Sequence, residues 1–432
     1  MIKKISLTFF GSILLSASVS AQMYQQKMST FLNLIDNYYV KDVNVDSLVE
    51  FGMKQMLKQL DPHSVYMNAD EIKKANEPLE GNFEGVGIQF QIYNDTIQVV
   101  HVIAGGPSKK VGVQDGDKII FVDTAKVAGI GINNDGVFKA LRGKKGTKVN
   151  IRVKRFGSPE LLAFEIIRDK IPIYAIGAQY MATPDIGYVK LERFSATATE
   201  ETQKAIDSLK KEGAQKIILD LTGNGGGYLN QAHELSDLFL ANDKLVVYSE
   251  GRSQPRIDLT ATEKGNFEKG DLVIMVDQNT ASASEIVSGA VQDWDRGLIV
   301  GRRTYGKGLV QKGYMLPDLS AVRLTMAYYY TPSGRNIQKP YVKGADEYKE
   351  DIEERYESGE LFDSSKIKVV DSTKYYTNNK RIVYGGGGIT PDIFVGLDTL
   401  WHSNFYGKLV RSGSFNQFIL SYVDANRNAL EI

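Results

Sequence analysis

The chain has 432 residues, 42% hydrophobic and 24% charged, and it balances 52 Lys plus Arg against 52 Asp plus Glu. That composition excludes a mostly disordered or fibrous protein, and the balance leaves no basic field to collect nucleic acid. Cysteine is absent, so disulfides, thiol nucleophiles, zinc–thiolate sites and iron–sulfur clusters are excluded.

Residues 1–21 read as a secretory signal peptide. Lys3 and Lys4 give a short basic start, Ile5–Leu15 run almost continuously apolar, and Ser16–Ala21 are small. Val19 and Ala21 suit a cut before Gln22. The apolar run is short for a membrane span, which weighs against the competing reading of an uncleaved anchor. No cysteine follows the cut, so bacterial lipid attachment is excluded. The expectation is export to the periplasm or cell envelope, as a soluble protein once cleaved after Ala21.

Residues 22–80 carry helical periodicity, with Met28, Phe31, Leu32 and Ile35 at three- and four-residue steps and Leu48, Phe51, Gly52 and Met56 likewise. Asp61-Pro62-His63-Ser64 interrupts that pattern. From residue 81 to 168 the period changes to that of strands. Gly85-Val86-Gly87-Ile88 begins one, Thr96–Val102 is a second, and Asp115-Gly116-Asp117 leads into Lys118–Val122. These features resemble a PDZ domain. Successive amides in such a glycine turn can form an anion nest, where a free peptide C-terminus docks and extends the sheet edge.

Residues 169–400 alternate strand and helix, the pattern of an α/β domain with function at strand-to-helix turns. Lys216–Leu221, Leu272–Val276 and Leu298–Gly301 are buried-strand runs. Ala283, Ile286, Val287, Ala290, Val291 and Trp294 share one helix face. Residues 339–387 form a charged insertion whose acid-rich stretch Asp346–Glu360 reads as a solvated helix. Residues 401–432 form a C-terminal helical segment.

Three turns of the α/β domain invite chemistry. Thr222-Gly223-Asn224-Gly225-Gly226-Gly227-Tyr228 places Tyr228 where a dinucleotide fingerprint needs glycine. What remains is a backbone able to approach a ligand and aim amides at it. Gly301 to Gly308 imitates a phosphate loop but ends in Gly308, where Ser or Thr must hold magnesium. Lys307 between two glycines can bend inward, and a buried ammonium suits a general base. The third turn is Thr280-Ala281-Ser282-Ala283-Ser284-Glu285. A serine at a helix start is most often a cap, but a nucleophile at Ser282 would have the free amide of Ala283 beside it as an oxyanion donor.

Taken together, the chain closely resembles the C-terminal processing (tail-specific) serine peptidases, whose core is ClpP/crotonase-like. The resemblance rests on Asp61-Pro62-His63-Ser64, the PDZ signature, Asn224-x-Gly226-Gly227, Ser-Ala-Ser-Glu, Tyr-Gly-Lys-Gly-x-Val-Gln and Thr331-Pro-Ser-Gly-Arg335. It implies a multidomain α/β fold, with a PDZ domain inserted between a helical N-terminal region and a protease core. It also implies Ser282 as nucleophile, Lys307 as base and Gln311 as the amide orienting that lysine. Gly227 with Ala283 would form the oxyanion hole, Gly226 being the weaker candidate, and Ser284 would cap the helix. Gly85, Val86, Gly87 and Ile88 would hold substrate C-termini. No cofactor or metal is required. Partners would be proteins or peptides with free C-termini, and the helical ends would support a homo-oligomer. Nothing identifies an adaptor protein.

Two departures stand out. Thr222-Gly223 replaces the arginine-rich start usual in that family, leaving the loop's anchoring open, and residues 339–387 are additional. A serine–histidine–acid hydrolase lacks its Gly-x-Ser-x-Gly elbow, and metal catalysis lacks clustered ligands. A crotonase-like acyl-CoA enzyme would have no use for a PDZ domain. The alternative from another class is an inert secreted adaptor that only binds peptides.

Overall fold

The computed structural model describes residues 22–263, 265–342, 344–398, 403–426 and 429–430. The signal-peptide reading of residues 1–21 lies outside the described residues, as do residues 401–402, 427–428 and 431–432 of the C-terminal segment. The chain forms two compact units.

One unit takes the N-terminal residues up to Asn68 together with Lys312–Thr325 and Tyr341–Tyr348. Its helices cover residues 22–38 and Val45–Lys58. Asn44 starts the second by accepting the Ser47 amide at 2.9 Å, the usual role of a short polar side chain at that position. The turn after it is built on Asp61, whose Oδ1 accepts the amides of His63 and Ser64 at 2.8 Å each. Thr325 Oγ1 also donates to Asp61 Oδ1, at 3.1 Å. That turn delivers Val65–Met67 into antiparallel pairing with Ala321–Arg323. His63 Nε2 and Tyr348 Oη are hydrogen-bonded at 2.8 Å. Met28, Phe31 and Leu34 of the first helix stay exposed.

The other unit holds Ala69–Gln311, Met326–Pro340 and Lys349–Ile432, and contains two separate apolar cores. Its strand Asn82–Gly85 pairs with Asp169–Pro172. Between them in sequence lies a sheet ordered Ile88–Tyr93, Thr96–Val102, Lys118–Val122, Lys148–Lys154 and Leu162–Ile167. Strict alternation along Lys148–Lys154 buries Val149, Ile151 and Val153 and leaves the lysines, Asn150 and Arg152 outside. Ile88–Tyr93 is an edge strand of this sheet.

The second sheet runs Ile176–Thr183, Ile186–Leu191, Lys216–Asp220, Leu272–Val276, Leu298–Gly301 and Ile393–Phe394, parallel after its first, antiparallel pair. Continuous apolar strands suit a parallel sheet with helices packed on it. Ala198–Glu212, Leu229–Asp237 and Ala283–Asp293 supply them. Ile286, Val287, Ala290 and Val291 are each at most 2% exposed. Burying each large aliphatic side chain contributes about 1.5–3 kcal/mol, so the helix that begins at Ser282 is fixed along its length.

The charged insertion is not a solvated helix throughout. Its helix Ala345–Glu357 buries Arg355, and Glu360 beyond it is also buried. Their charges are compensated by ion pairs, the condition under which charge tolerates burial. The C-terminal helices Asn404–Arg411 and Ser414–Asn426 leave Phe415, Phe418 and Tyr422 exposed.

Candidate active site

Strand Leu272–Val276 ends in a turn tied by Asp277. Asp277 Oδ1 accepts the Thr280 amide at 3.0 Å, and Thr280 Oγ1 donates to the Leu221 carbonyl at 2.8 Å. The turn leaves Ser282 at φ 58° and ψ −114°, a conformation that costs a non-glycine residue about 1–3 kcal/mol and persists only when its surroundings over-determine it. They do. The Ser282 amide donates to Glu285 Oε2 at 2.8 Å, and its carbonyl accepts Tyr329 Oη at 3.1 Å and the Ile286 amide at 3.0 Å.

Glu285 is the hub. It is fully buried, and its Oε2 also accepts the Lys307 amide at 2.9 Å. Its Oε1 accepts the Gly306 amide at 2.7 Å and Thr304 Oγ1 at 2.5 Å. Burial pushes its carboxyl above the usual range, and these donors pull the other way. One carboxylate thus joins the helix start carrying Ser282 to the loop carrying Lys307. The Lys307 ammonium donates to Gln311 Oε1 at 2.9 Å, so the two residues expected to meet do so, with Gln311 on strand Leu309–Met315.

The glycine loop is locked to the same turn. The Asn224 carbonyl accepts the Ala281 amide and Ser284 Oγ, both at 3.0 Å. Ser284 therefore binds the loop, and Ser282 holds the cap position instead. Gly226 has φ 97°, and a methyl group there would lie 2.9 Å from Ser282 Cβ and from the Ala283 nitrogen. Its amide is engaged by Asn224 Oδ1 at 2.9 Å. Among the described residues, the amides of Gly227 and Ala283 donate to no backbone carbonyl outside the helix and strand ladders. Gly227 instead sits in a parallel bridge to Phe194, whose carbonyl a side chain at 227 would strike.

The anchoring left open by Thr222-Gly223 is supplied by Lys190. Its ammonium bonds the Thr222 carbonyl and, at 2.9 Å, Thr222 Oγ1, and it pairs with Asp220 at 3.3 Å. Asp220 accepts the Thr222 amide at 2.7 Å and Tyr188 Oη at 2.6 Å. Burial, then the Asp220 carboxylate, pushes the Tyr188 phenol up.

In the glycine turn at Gly85–Ile88, the Val86 carbonyl accepts the Ser108 amide at 3.0 Å and Ser108 Oγ at 2.6 Å. The Gly87 carbonyl accepts the Ile103 amide at 3.1 Å. These bonds aim the carbonyls inward. Among the described residues the amides of Val86 and Gly87 donate to no backbone carbonyl, and the edge strand Ile88–Tyr93 follows directly. The turn and the Ser282 turn are separate sites in the structure.

Residues with roles that the sequence left unstated are Glu285, Lys190 and Arg355. Only Glu285 had a readable signal: it stands three places after Ser282, the spacing at which a glutamate returns to the amide of a helix start.

Comparison with known proteins places names on these parts. Residues 185–347 match peptidase family S41, residues 85–166 match the PDZ domain, and residues 15–71 match the activating protease CtpB N-terminal domain. The carboxy-terminal processing protease CtpA of Bacillus subtilis (strain 168) is 33% identical over 362 residues, covering 84% of this chain and 74% of the relative. The carboxy-terminal-processing protease of Bartonella bacilliformis is 34% identical over 356 residues, covering 78% and 81%. Among solved structures, a photosystem II D1 C-terminal processing protease aligns with a TM-score of 0.42 at 24% identity, covering 85% of this chain and 86% of that one. The extent and identity of the sequence matches settle the family: the chain belongs to the carboxy-terminal processing proteases of peptidase family S41, and carries their PDZ domain.

Proposed function

We propose that the chain is an exported serine endopeptidase that takes substrates by their free C-termini and cleaves them with a Ser282–Lys307 dyad. The observation that carries this reading is the shared Glu285 carboxylate, which brings the strained serine turn and the glycine-flanked lysine onto one anchor. Neutral Lys307 removes the Ser282 proton as Oγ attacks the peptide carbonyl. Gln311 orients the ammonium, and the Gly227 and Ala283 amides hold the oxyanion. Lys307 then gives its proton to the leaving amine, and water hydrolyses the acyl-enzyme. In the PDZ domain, the open amides of Val86 and Gly87 and the edge after them suit a carboxylate followed by an added strand. Residues 1–21 direct export to the periplasm or envelope, and the exposed apolar residues of the terminal helices serve self-association.

Digestion of casein or a tail-tagged protein tests the reading. Ser282→Ala and Lys307→Ala each abolish nearly all turnover, and the double variant is hardly worse than either, because members of one catalytic unit are non-additive. Turnover by Ser282→Ala at the wild-type rate rejects the nucleophile. A wild-type protein that binds tails without cutting them is an inert adaptor. N-terminal sequencing of the protein from the periplasmic fraction should begin at Gln22.

A further inference from the structure

The loop that carries Lys307 is held from two sides. Glu285 takes its amides from within. The second hold comes from Arg355 and Glu360 of the charged insertion, both past residue 347, where the segment matching peptidase family S41 ends. Arg355 is 3% exposed, and its Nη1 donates to the carbonyls of Thr304 at 2.8 Å and Arg303 at 3.3 Å. Its Nη2 reaches the Tyr305 carbonyl at 3.4 Å. One guanidinium therefore spans the three residues leading to Gly306 and Lys307. Glu360 grips the same loop by a side chain, accepting Arg303 Nε and Nη2 at 2.8 Å each, while Arg303 Nη1 donates to the Gly387 carbonyl at 2.6 Å.

The clamp is itself braced. Asp351 pairs with Arg355 and with Lys339, both at 3.0 Å. The Lys339 amide donates to the Gly306 carbonyl at 2.9 Å, and its ammonium lies 4.0 Å from the Tyr305 ring centroid. Arg303, Lys339 and Arg355 thus face Asp351 and Glu360, while Glu285 accepts the amides of the same loop. A planar fork with several donors fits a row of carbonyls as a lysine's point charge cannot.

We propose that Arg355 and Glu360 are positioning residues of the active site: the insertion clamps residues 303–305 and so sets where the Lys307 ammonium stands. Neither residue touches substrate. A base displaced by a fraction of an ångström loses rate with little loss of binding. The inference rests on Lys307 being the base, and the experiment separates the two.

The full-length mature protein is assayed on an internally quenched peptide with a free apolar tail, with Arg355→Met, Arg355→Lys, Glu360→Gln and Lys307→Ala beside wild type. Circular dichroism at the assay temperature establishes the folded fraction. The expected result is kcat lowered tenfold or more in Arg355→Met, with KM within twofold. Arg355→Lys should recover part of that loss, and Glu360→Gln should fall between. Folded variants with wild-type kcat overturn the proposal, as does a loss that only tracks the folded fraction. If Arg355→Met fails to fold, Glu360→Gln decides by the same split of kcat from KM. If Lys307→Ala keeps wild-type turnover, the base assignment fails. If it is inactive while the Arg355 and Glu360 variants are unaltered, only the clamp fails.

Discussion

Ser282 and Lys307 donate their backbone amides to one oxygen atom, Oε2 of Glu285, at 2.8 and 2.9 Å. The two reach it from neighbouring parallel strands: one from the turn after Leu272–Val276, the other from the turn after Leu298–Gly301. Their relative placement therefore depends on a residue that need take no part in the chemistry.

Glu285→Gln should be damaging out of proportion to its size. Both carboxylate oxygens accept two donors, so whichever way the amide turns, its NH2 faces donors. A buried donor left unpaired costs about 1–3 kcal/mol. Turnover should fall tenfold or more and the melting temperature by several degrees. Unchanged turnover would show that the shared carboxylate does not set the geometry.

The same residue makes stability depend on pH. Burial holds its carboxyl above the ordinary range, so the folded chain binds that proton more tightly than the unfolded chain. Its contribution is fully present below the ordinary carboxylate range and is lost as pH rises through the raised value. Glu285→Gln cannot titrate. The melting-temperature gap between wild type and Glu285→Gln should therefore be widest below the ordinary carboxylate range and shrink as pH rises through the raised value; a gap that widens instead reverses the sign.

Neighbouring glycines should respond oppositely to alanine. At Gly226 the added methyl meets Ser282 Cβ and the Ala283 nitrogen at 2.9 Å and the Ala281 carbonyl at 2.7 Å, at φ 97°. Gly225 has nothing within 4 Å. Gly226→Ala should destabilise by about 1–3 kcal/mol and remove activity, while Gly225→Ala stays within about 0.5 kcal/mol of wild type. Denaturant melts and a peptide assay compare them.

Tail selection should depend on Gly87. Its φ is 77°, and a Cβ there would come within 3.0 Å of Ile171 Cδ1 and 3.2 Å of Pro107 Cδ. Gly87→Val should disturb the turn and weaken capture of a free carboxylate by about 1–3 kcal/mol for each charge-assisted bond lost. Wild type should cut a protein with a free apolar tail at least tenfold faster than its amidated form at limiting substrate. In Gly87→Val the two rates should converge, with short-peptide cleavage retained. Equal rates on both tails by wild type would move the PDZ domain to gating or assembly.

Much of this was legible in sequence because it is local. Strands Thr96–Val102, Lys118–Val122, Leu272–Val276 and Leu298–Gly301 appear where their apolar runs lie, since period and composition act over a few residues. Helix Ala283–Asp293 follows its own apolar face. Arg355 was not legible. Its surroundings are crowded with acids, the pattern of a solvated helix, and only the distant carbonyls of residues 303–305 make its burial favourable. Lys190 escaped for the same reason: the loop it anchors is more than thirty positions away, and no periodicity links them.

The bonds from Glu285 to the lysine loop end on amides and a threonine hydroxyl, never on the Lys307 side chain. The Glu285 bonds to that loop therefore do not depend on the side chain at residue 307. A variant that lost Lys307, or the hydroxyl of Ser282, would keep these bonds, and on the proposed reading would still offer the glycine turn at Gly85–Ile88 to peptide tails. On the proposed dyad, one substitution would separate a protease from a peptide receptor of the same shape.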